Sequence, residues 1–397
     1  MSITSDSRTT IGTDRVEAVQ AMLAKAVDDG FYAGIAACAV QRGELLHRDV
    51  YGHRDVEEGE PMTFDTIFRI ASSTKPIIAA AMMILHQEGR WDFDDELTRY
   101  IPAFEGLKVQ EKDGSLVDPV QPMRMRHLMS HGIGFQRGRP AGDAGDAGAS
   151  GRPSRPKDLD SLIEHFASQP LTFHPGKRFL YGACCDVQGY VIEKLSGQTL
   201  DVFLQERIFG PLGMVDTGFW VDASKTDRVA SLYDHQDGRL VRLDRPDKER
   251  IATRPSYLSG GGGLWSTPDD YQRFCQMLLD EGVGPTGRIL EAETVRKMSQ
   301  DLLEPQVYVR VVPGYTLPGA RFGTNMSVIT EPQGDNAMYP AGTYSWGGAF
   351  GTYFWIDPVN ELFVSGMVQI ANGGAQHLGR QLPYPDLKKA TAQLLYG

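Results

Sequence analysis

The chain reads Ile70-Ala71-Ser72-Ser73-Thr74-Lys75-Pro76-Ile77-Ile78 at the point where a strongly apolar run begins. Ser72 and Lys75 are three residues apart, close to one helical turn, so their hydroxyl and amine would share a helix face. Burial among isoleucines and alanines disfavours a charged amine and favours the neutral form that can act as a base. A hydroxyl at a helix start also lies near backbone N–H groups that can stabilise an oxyanion. The stretch predicts a serine nucleophile with its own base.

A purely structural role for the same residues stays open. Ser72 or Ser73 could cap the helix, with Pro76 in its first turn. The Ser-x-x-Lys pattern fixes only two positions, and it recurs at Ser154-Arg155-Pro156-Lys157. That copy lies in a proline-rich stretch with no apolar helix behind it. Only the copy at Ser72 has surroundings that would desolvate the amine.

Length and composition are those of an ordinary globular protein. The chain has 397 residues, of which 41% are hydrophobic and 23% charged, and such a length suggests about two to three domains or one fold with an insertion. A net charge of −11 argues against a nucleic-acid partner. No apolar run approaches the ~20 residues of a membrane span, and the polar residues 1–12 lack the apolar core of a secretion signal.

Cysteine usage favours a reducing compartment. The four cysteines show no Cys-x-x-Cys spacing, and two of them, Cys184 and Cys185, are adjacent. Such a pair suits a protein without a disulfide framework. We predict a cytoplasmic protein with no membrane association.

The hydrophobic pattern predicts an α+β fold. Strand-like segments lie near both chain ends, and amphipathic helical segments dominate the middle. We expect an antiparallel sheet formed from both ends and flanked by helices, with an inserted, mainly helical domain. The predicted boundaries give one domain from residues 1–90 and 222–397 and a second from 91–221, with the active site between them.

Three further features have weaker functional readings. His127 and His131 have metal-pair spacing, but no carboxylate accompanies them, so capping or packing is favoured. The cluster Gly260 to Gly263 is not followed by Gly-Lys-Ser/Thr, so a turn near the site is favoured over a phosphate cradle. Residues 141–155 are rich in Gly, Ala and Asp, which indicates a flexible surface loop, with a mobile lid as the alternative.

Several motifs together resemble the serine β-lactamase and penicillin-binding-protein superfamily. The first is Ser72-x-x-Lys75 after Phe68-Arg69-Ile70-Ala71, and the second is Phe179-Leu180-Tyr181, which resembles the element that supplies a catalytic tyrosine in the class C branch. The other matches are Pro175-Gly176, Gly189 to Glu193, Gly197, Pro211 to Met214, and the glycine cluster with Leu264, Thr267 and Asp270. They follow the family's order from about residue 15 to 395. The resemblance implies a β-lactamase/DD-peptidase-like fold.

The third superfamily element differs from the penicillin-recognising pattern. Trp346-Gly347-Gly348-Ala349 stands where Lys-Thr-Gly or Lys-Ser-Gly is usual, and Ala183 replaces an asparagine of the second element. A lysine there would hold a substrate carboxylate, whereas tryptophan offers an apolar wall. The change resembles the family VIII carboxylesterases, which share the fold but cleave esters.

The resemblance implies roles for individual residues. Ser72 would form an acyl-enzyme, and Lys75 and Tyr181 would handle its proton, with the identity of the base left open. Backbone N–H groups of Ser72 and Ala349 would form the oxyanion hole. The substrate-binding residues would be Trp346, Gly347 and Gly348. No metal or other cofactor is implied.

The leading hypothesis is a carboxylesterase acting on small, short-acyl ester substrates. One rival is a class C-like β-lactamase, a D-amino-acid peptidase or a related acyltransferase. Another is a non-catalytic penicillin-binding-like module. Without the family resemblance, Tyr181 would be an ordinary half-buried aromatic and Trp346 a core residue.

Overall fold

Two hairpins, one from each end of the chain, meet in an eight-stranded antiparallel sheet. The computed structural model describes residues 9–135, 156–309, 317–373 and 385–397. The strands are β1 Gly34–Gln41, β2 Glu44–Asp55, β3 Glu60–Pro61, β4 Phe68–Arg69, β5 Val109–Gln110, β6 Leu116–Val117, β7 Leu232–Gln236, β8 Arg239–Asp244, β9 Trp265–Ser266, β10 Val283–Gly284, β11 Gly287–Arg288, β12 Ala320–Phe322, β13 Ser327–Ile329, β14 Tyr344–Gly347, β15 Tyr353–Asp357 and β16 Leu362–Met367. The main sheet has the order β12-β13-β14-β15-β16-β1-β2-β3. The strands from the two ends of the chain join where β1 pairs with β16, and Cys38 lies opposite Ser365 in that pairing.

Helices cover the sheet and fill the middle of the chain. They are α1 Thr13–Asp28, α2 Thr74–Gln87, α3 Met125–Met129, α4 Leu159–Ala167, α5 Cys184–Ser196, α6 Leu200–Leu204, α7 Gly210–Leu212, α8 Lys248–Ala252, α9 Pro268–Leu279, α10 Ala292–Met298 and α11 Leu387–Tyr396, with a π-helical turn at Gln205–Phe209. This confirms the predicted α+β class, with the sheet drawn from both chain ends.

Alternation along the strands explains how both faces of the sheet are covered. In β15, Tyr353 and Trp355 join the apolar cluster formed with α1 and α11. Phe354 and Ile356 point to the other face and join the cluster that contains α2 and α9. The sheet is therefore a buried layer between helices.

Helix α2 is buried on all sides, as its sequence predicts. Residues from Ile77 to Met83 are each 0% exposed. The α-helix begins at Thr74, and Ser72 lies just before it in a 3-10 turn, Ala71–Ser73. The nucleophile candidate thus stands at the end of a rigid, fully packed element.

The segment 91–221 is mainly helical, but it also contains the short β5–β6 hairpin. One apolar cluster runs through it into the rest of the molecule, since Val187 and Phe203 share that cluster with Ile77 and Phe354. The domain boundaries at 91 and 221 stay a prediction.

All four cysteines lie in the described part of the chain, where they are buried and none forms a disulfide. Among the described residues, no helix has the length and apolar character needed to cross a bilayer. The Gly/Ala/Asp-rich residues 141–155, with Ser154, lie outside the described residues. Lys157 is described and is exposed.

Candidate active site

A tight turn presents Ser72 at the start of α2. Ala71 has a left-handed φ of 45°, a conformation that costs an alanine about 1–2 kcal/mol and is typical of functional sites. Its neighbours Ser73 and Thr74 are buried, whereas Ser72 is half-buried. The N-cap residue of α2 is Ser73, and its side chain makes no capping hydrogen bond. Ser73 Oγ instead lies 3.0 Å from Thr352 Oγ1.

Lys75 places its amine beside the Ser72 hydroxyl. Lys75 Nζ lies 2.9 Å from Ser72 Oγ, and the residue is only 2% exposed. The same amine donates a hydrogen bond to the carbonyl oxygen of Gly261. It also lies 4.7 Å from the centre of the Tyr181 ring. The predicted pairing of Ser72 with Lys75 on one helix face is therefore present, at a distance that permits proton transfer.

The backbone of α2 at Lys75 is anchored by a pair of buried amide side chains. Asn325 Nδ2 donates to the Lys75 carbonyl at 3.1 Å and to Gln188 Oε1 at 2.7 Å. Gln188 Nε2 donates back to Asn325 Oδ1 at 3.0 Å. Both side chains are 0% exposed, so this pair ties α2 to α5 in a fixed register.

Tyr181 lies just before α5 in a group of aromatic rings. Its ring centroid is 5.0 Å from that of His131 and 5.2 Å from that of Trp346. Trp346 Nε1 donates a hydrogen bond to the Tyr181 hydroxyl at 3.1 Å. Phe322 packs edge-on against Trp346, with the centroids 5.3 Å apart. The structure thus brings together Tyr181, Lys75 and Trp346, which are far apart in the chain.

The turn after β14 packs directly against the turn that precedes Ser72. A Cβ atom at Gly348 would lie 2.4 Å from the Ile70 carbonyl oxygen and 2.2 Å from Thr352 Oγ1, so only glycine permits this approach. Thr352 Oγ1 donates to the same Ile70 carbonyl at 3.2 Å. Ala349 follows Gly348 directly and is half-buried, which places its amide on the turn adjoining the Ser72 segment.

The two histidines singled out in the sequence have capping and packing contacts. His127 Nδ1 accepts a hydrogen bond from the Arg124 N–H at 3.2 Å. His131 Nδ1 accepts from the Gly182 N–H at 3.4 Å, next to Tyr181. Burial, and then the nearby Lys75 charge, lower the pKa of His131 to about 3. Across the described ranges, no group of three or more His, Cys, Asp or Glu side chains is arranged to hold a metal ion.

Sequence reasoning missed several supporting contacts. It favoured a turn near the site at Gly260 to Gly263, and Gly261 does contact Lys75, but the carbonyl acceptor itself has no sequence signal. The contact of His131 with Tyr181 and the amide pair of Asn325 and Gln188 depend on tertiary packing. They could not be read from spacing.

Comparison with known proteins agrees with this architecture. Residues 19–381 match the family model described as Beta-lactamase. Protein Rv1367c of Mycobacterium tuberculosis is 34% identical over 88% of this chain and 89% of its own length. Esterase EstB of Burkholderia gladioli is 31% identical over 85% of this chain and 86% of its own length.

A solved structure supports the fold. The chain aligns with "EstCE1, a hydrolase with promiscuous acyltransferase activity" at a TM-score of 0.77 and 24% identity, covering 97% of this chain and 99% of that one. This likeness confirms the predicted β-lactamase/DD-peptidase-like fold. The family match and the identity to EstB show that the chain belongs to the Beta-lactamase family, which confirms the family resemblance predicted from the sequence.

Proposed function

We propose that this protein is a serine carboxylesterase that hydrolyses small, short-acyl esters through an acyl-enzyme on Ser72. The observation that carries the proposal is the distance of 2.9 Å between Lys75 Nζ and Ser72 Oγ in a site where the lysine is buried. The 31% identity to EstB, which is named an esterase, supports an ester as the substrate.

The proposed reaction has two halves. Ser72 Oγ attacks the ester carbonyl carbon while its proton passes to the pair formed by Lys75 and Tyr181. The carbon–oxygen bond of the ester then breaks, and the leaving alcohol takes up that proton. In the second half, water gives a proton to the same pair and attacks the acyl carbon. The bond between that carbon and Ser72 Oγ then breaks, Ser72 Oγ takes up the proton from the pair, and the acid leaves.

The oxyanion hole is proposed to be the backbone N–H groups of Ser72 and Ala349. The close packing of Gly348 against the Ile70 carbonyl supports this assignment, because it holds the Ala349 turn next to the serine turn. Each such donor is worth about 3 kcal/mol of transition-state stabilisation. Gly347 and Gly348 would form the backbone edge along which the substrate lies.

Trp346 supports an ester rather than a β-lactam as substrate. A lysine at this position would pair with the carboxylate of a lactam or peptide, and an indole has no charge with which to do so. Trp346 is 7% exposed. We assign it two roles. It forms an apolar wall beside the substrate, and it donates a hydrogen bond to Tyr181.

The reducing cytoplasm is the proposed location. The adjacent Cys184 and Cys185 support it, because such a pair suits a protein without a disulfide framework.

Parallel assays with a chromogenic short-chain ester, a chromogenic cephalosporin and a D-alanyl peptide test the proposal. We expect turnover of the ester, loss of that turnover in Ser72→Ala, and normal activity in Ser154→Ala, the matched change in the second Ser-x-x-Lys copy. Lactam or peptide turnover without ester turnover would overturn the substrate assignment. A fluorophosphonate that fails to label Ser72, together with unaltered behaviour of Ser72→Ala, would favour the non-catalytic alternative.

A further inference from the structure

Asp186 braces the loop whose carbonyl binds the Lys75 amine. It lies in the first turn of α5 and is 8% exposed. Its Oδ1 atom accepts hydrogen bonds from the Gly261 N–H at 3.0 Å and from Ser259 Oγ at 2.8 Å. The carbonyl of the same Gly261 accepts from Lys75 Nζ. One residue of the loop thus connects the Asp186 carboxylate to the lysine.

The loop lies so close to α5 that only glycine fits there. A Cβ atom at Gly261 would lie 2.8 Å from Asp186 Oδ2. At Gly260 it would lie 2.3 Å from the carbonyl oxygen of Cys185. The two hydrogen bonds that Asp186 accepts hold the backbone immediately before the Gly261 carbonyl against the start of α5.

From these contacts we infer that Asp186 is a positioning residue for Lys75, acting through Gly261; the inference rests on the proposed function. The acceptor at Gly261 binds one N–H of the Lys75 amine and so helps to hold Nζ 2.9 Å from Ser72 Oγ. Asp186 itself gives up and receives no proton in either half of the reaction.

The location of Asp186 also connects the two proton-handling groups. It follows Tyr181 by five residues, in the segment that enters α5. The segment that delivers Tyr181 therefore also sets the acceptor for Lys75. A carboxylate in the first helical turn also interacts favourably with the helix dipole.

Kinetics of Asp186→Ala, Asp186→Asn and a matched control test the inference. Asp270→Ala is the control, since Asp270 also lies in a first helical turn, is 3% exposed, and accepts from one backbone N–H (Asp216, 2.7 Å) and one hydroxyl (Thr217, 2.9 Å).

We expect Asp186→Ala to lower kcat and the rate of Ser72 phosphonylation by roughly 30-fold, with KM little changed, because misplaced reacting groups cost up to about 100-fold. Asp186→Asn keeps an oxygen that accepts both bonds, so it should remain within about 3-fold of wild type. Asp270→Ala should lower the melting temperature without lowering kcat.

Two results would overturn the inference. One is a folded Asp186→Ala enzyme with wild-type kcat; the other is an Asp186→Asn enzyme as slow as Asp186→Ala. If Asp186→Ala does not fold, Ser259→Ala and Ser259→Thr decide, since the alanine variant should be slower and the threonine variant, which keeps the hydroxyl, should not. A wild-type protein that neither turns over esters nor takes up the phosphonate would instead refute the proposed function.

Discussion

The indole N–H of Trp346 donates a hydrogen bond to the hydroxyl oxygen of Tyr181, with 3.1 Å between Nε1 and that oxygen. A donor at a phenolic oxygen stabilises it most when the oxygen carries negative charge. The residue that replaces the superfamily's lysine therefore contacts the proposed proton-handling pair directly. Trp346 therefore has two effects: it replaces the cationic group that would bind a substrate carboxylate, and it donates a hydrogen bond to Tyr181.

Trp346→Phe should lower kcat by roughly 5- to 10-fold and leave KM nearly unchanged, because it removes the donor and keeps the apolar ring. Tyr181→Phe should cost about 100-fold or more. In the double variant the effect of Trp346→Phe should disappear, since its partner is already gone. Steady-state kinetics of the four proteins provide the measurement, and fully additive losses would show that this hydrogen bond has no catalytic role.

Lys75→Arg should lose nearly all esterase activity, about 1000-fold or more in kcat/KM. A guanidinium stays protonated and cannot accept the serine proton, although it keeps the positive charge. Lys157→Arg is the matched control in the second Ser-x-x-Lys copy and should behave like wild type. Substantial turnover by a folded Lys75→Arg enzyme would refute the role of Lys75 as a proton acceptor.

Gly348→Ala should reduce kcat/KM by roughly 100-fold. The added Cβ would meet the Ile70 carbonyl and Thr352 Oγ1, so the turn that carries the Ala349 amide must move away from Ser72. Gly12→Ala is a suitable control, because a Cβ at Gly12 meets nothing within 4 Å. Activity assays with melting temperatures check this expectation. A Gly348→Ala protein with normal activity would contradict the assignment of Ala349 to the oxyanion hole.

The free energy of unfolding should decrease as the pH falls, because of His131. Its pKa in the folded protein, about 3, lies below the ordinary value of 6.5 because the ring is buried near Lys75. Between these two values the unfolded chain binds a proton that the folded chain does not. The contribution is therefore complete above about pH 6.5 and decreases by about 1.4 kcal/mol for each pH unit below it. Burial lowers the pKa of His127 to about 4, which acts in the same direction.

Urea unfolding between about pH 5 and pH 7 measures this slope. His131→Gln should reduce the pH dependence of the free energy of unfolding by the contribution of about one proton. Gln cannot titrate, but it still offers an acceptor to the Gly182 N–H. An unchanged slope in that variant would show that His131 is not held neutral in the folded state.

Features set by local pattern could be predicted from the sequence. The spacing of Ser72 and Lys75 fixes their common face, because a helical turn is the same in any protein. Glycine at position 43 is a local turn signal, and the chain does turn there between β1 and β2, with φ of 52° at Arg42 and 77° at Gly43. The role of Trp346 depended on resemblance, since its spacing carries no signal of its own.

Contacts between distant segments could not be predicted in this way. The carbonyl of Gly261 is a backbone group, so no residue type in the sequence indicates its role. Asp186 resembles any acidic residue near a helix start. Asn325 reaches Lys75 only because the sheet and α2 pack together, 250 residues apart in the chain. Such contacts are determined by tertiary packing, which periodicity does not encode.

The most direct measurement is rapid-quench mass spectrometry of the wild-type enzyme with an activated acetate ester, followed by peptide mapping. We expect a transient acetyl adduct on the peptide that contains Ser72, forming and decaying at rates consistent with kcat, and no such adduct in Ser72→Ala. Ester turnover without an adduct on that peptide, or an adduct at another residue that is kinetically competent, would contradict acyl transfer through Ser72.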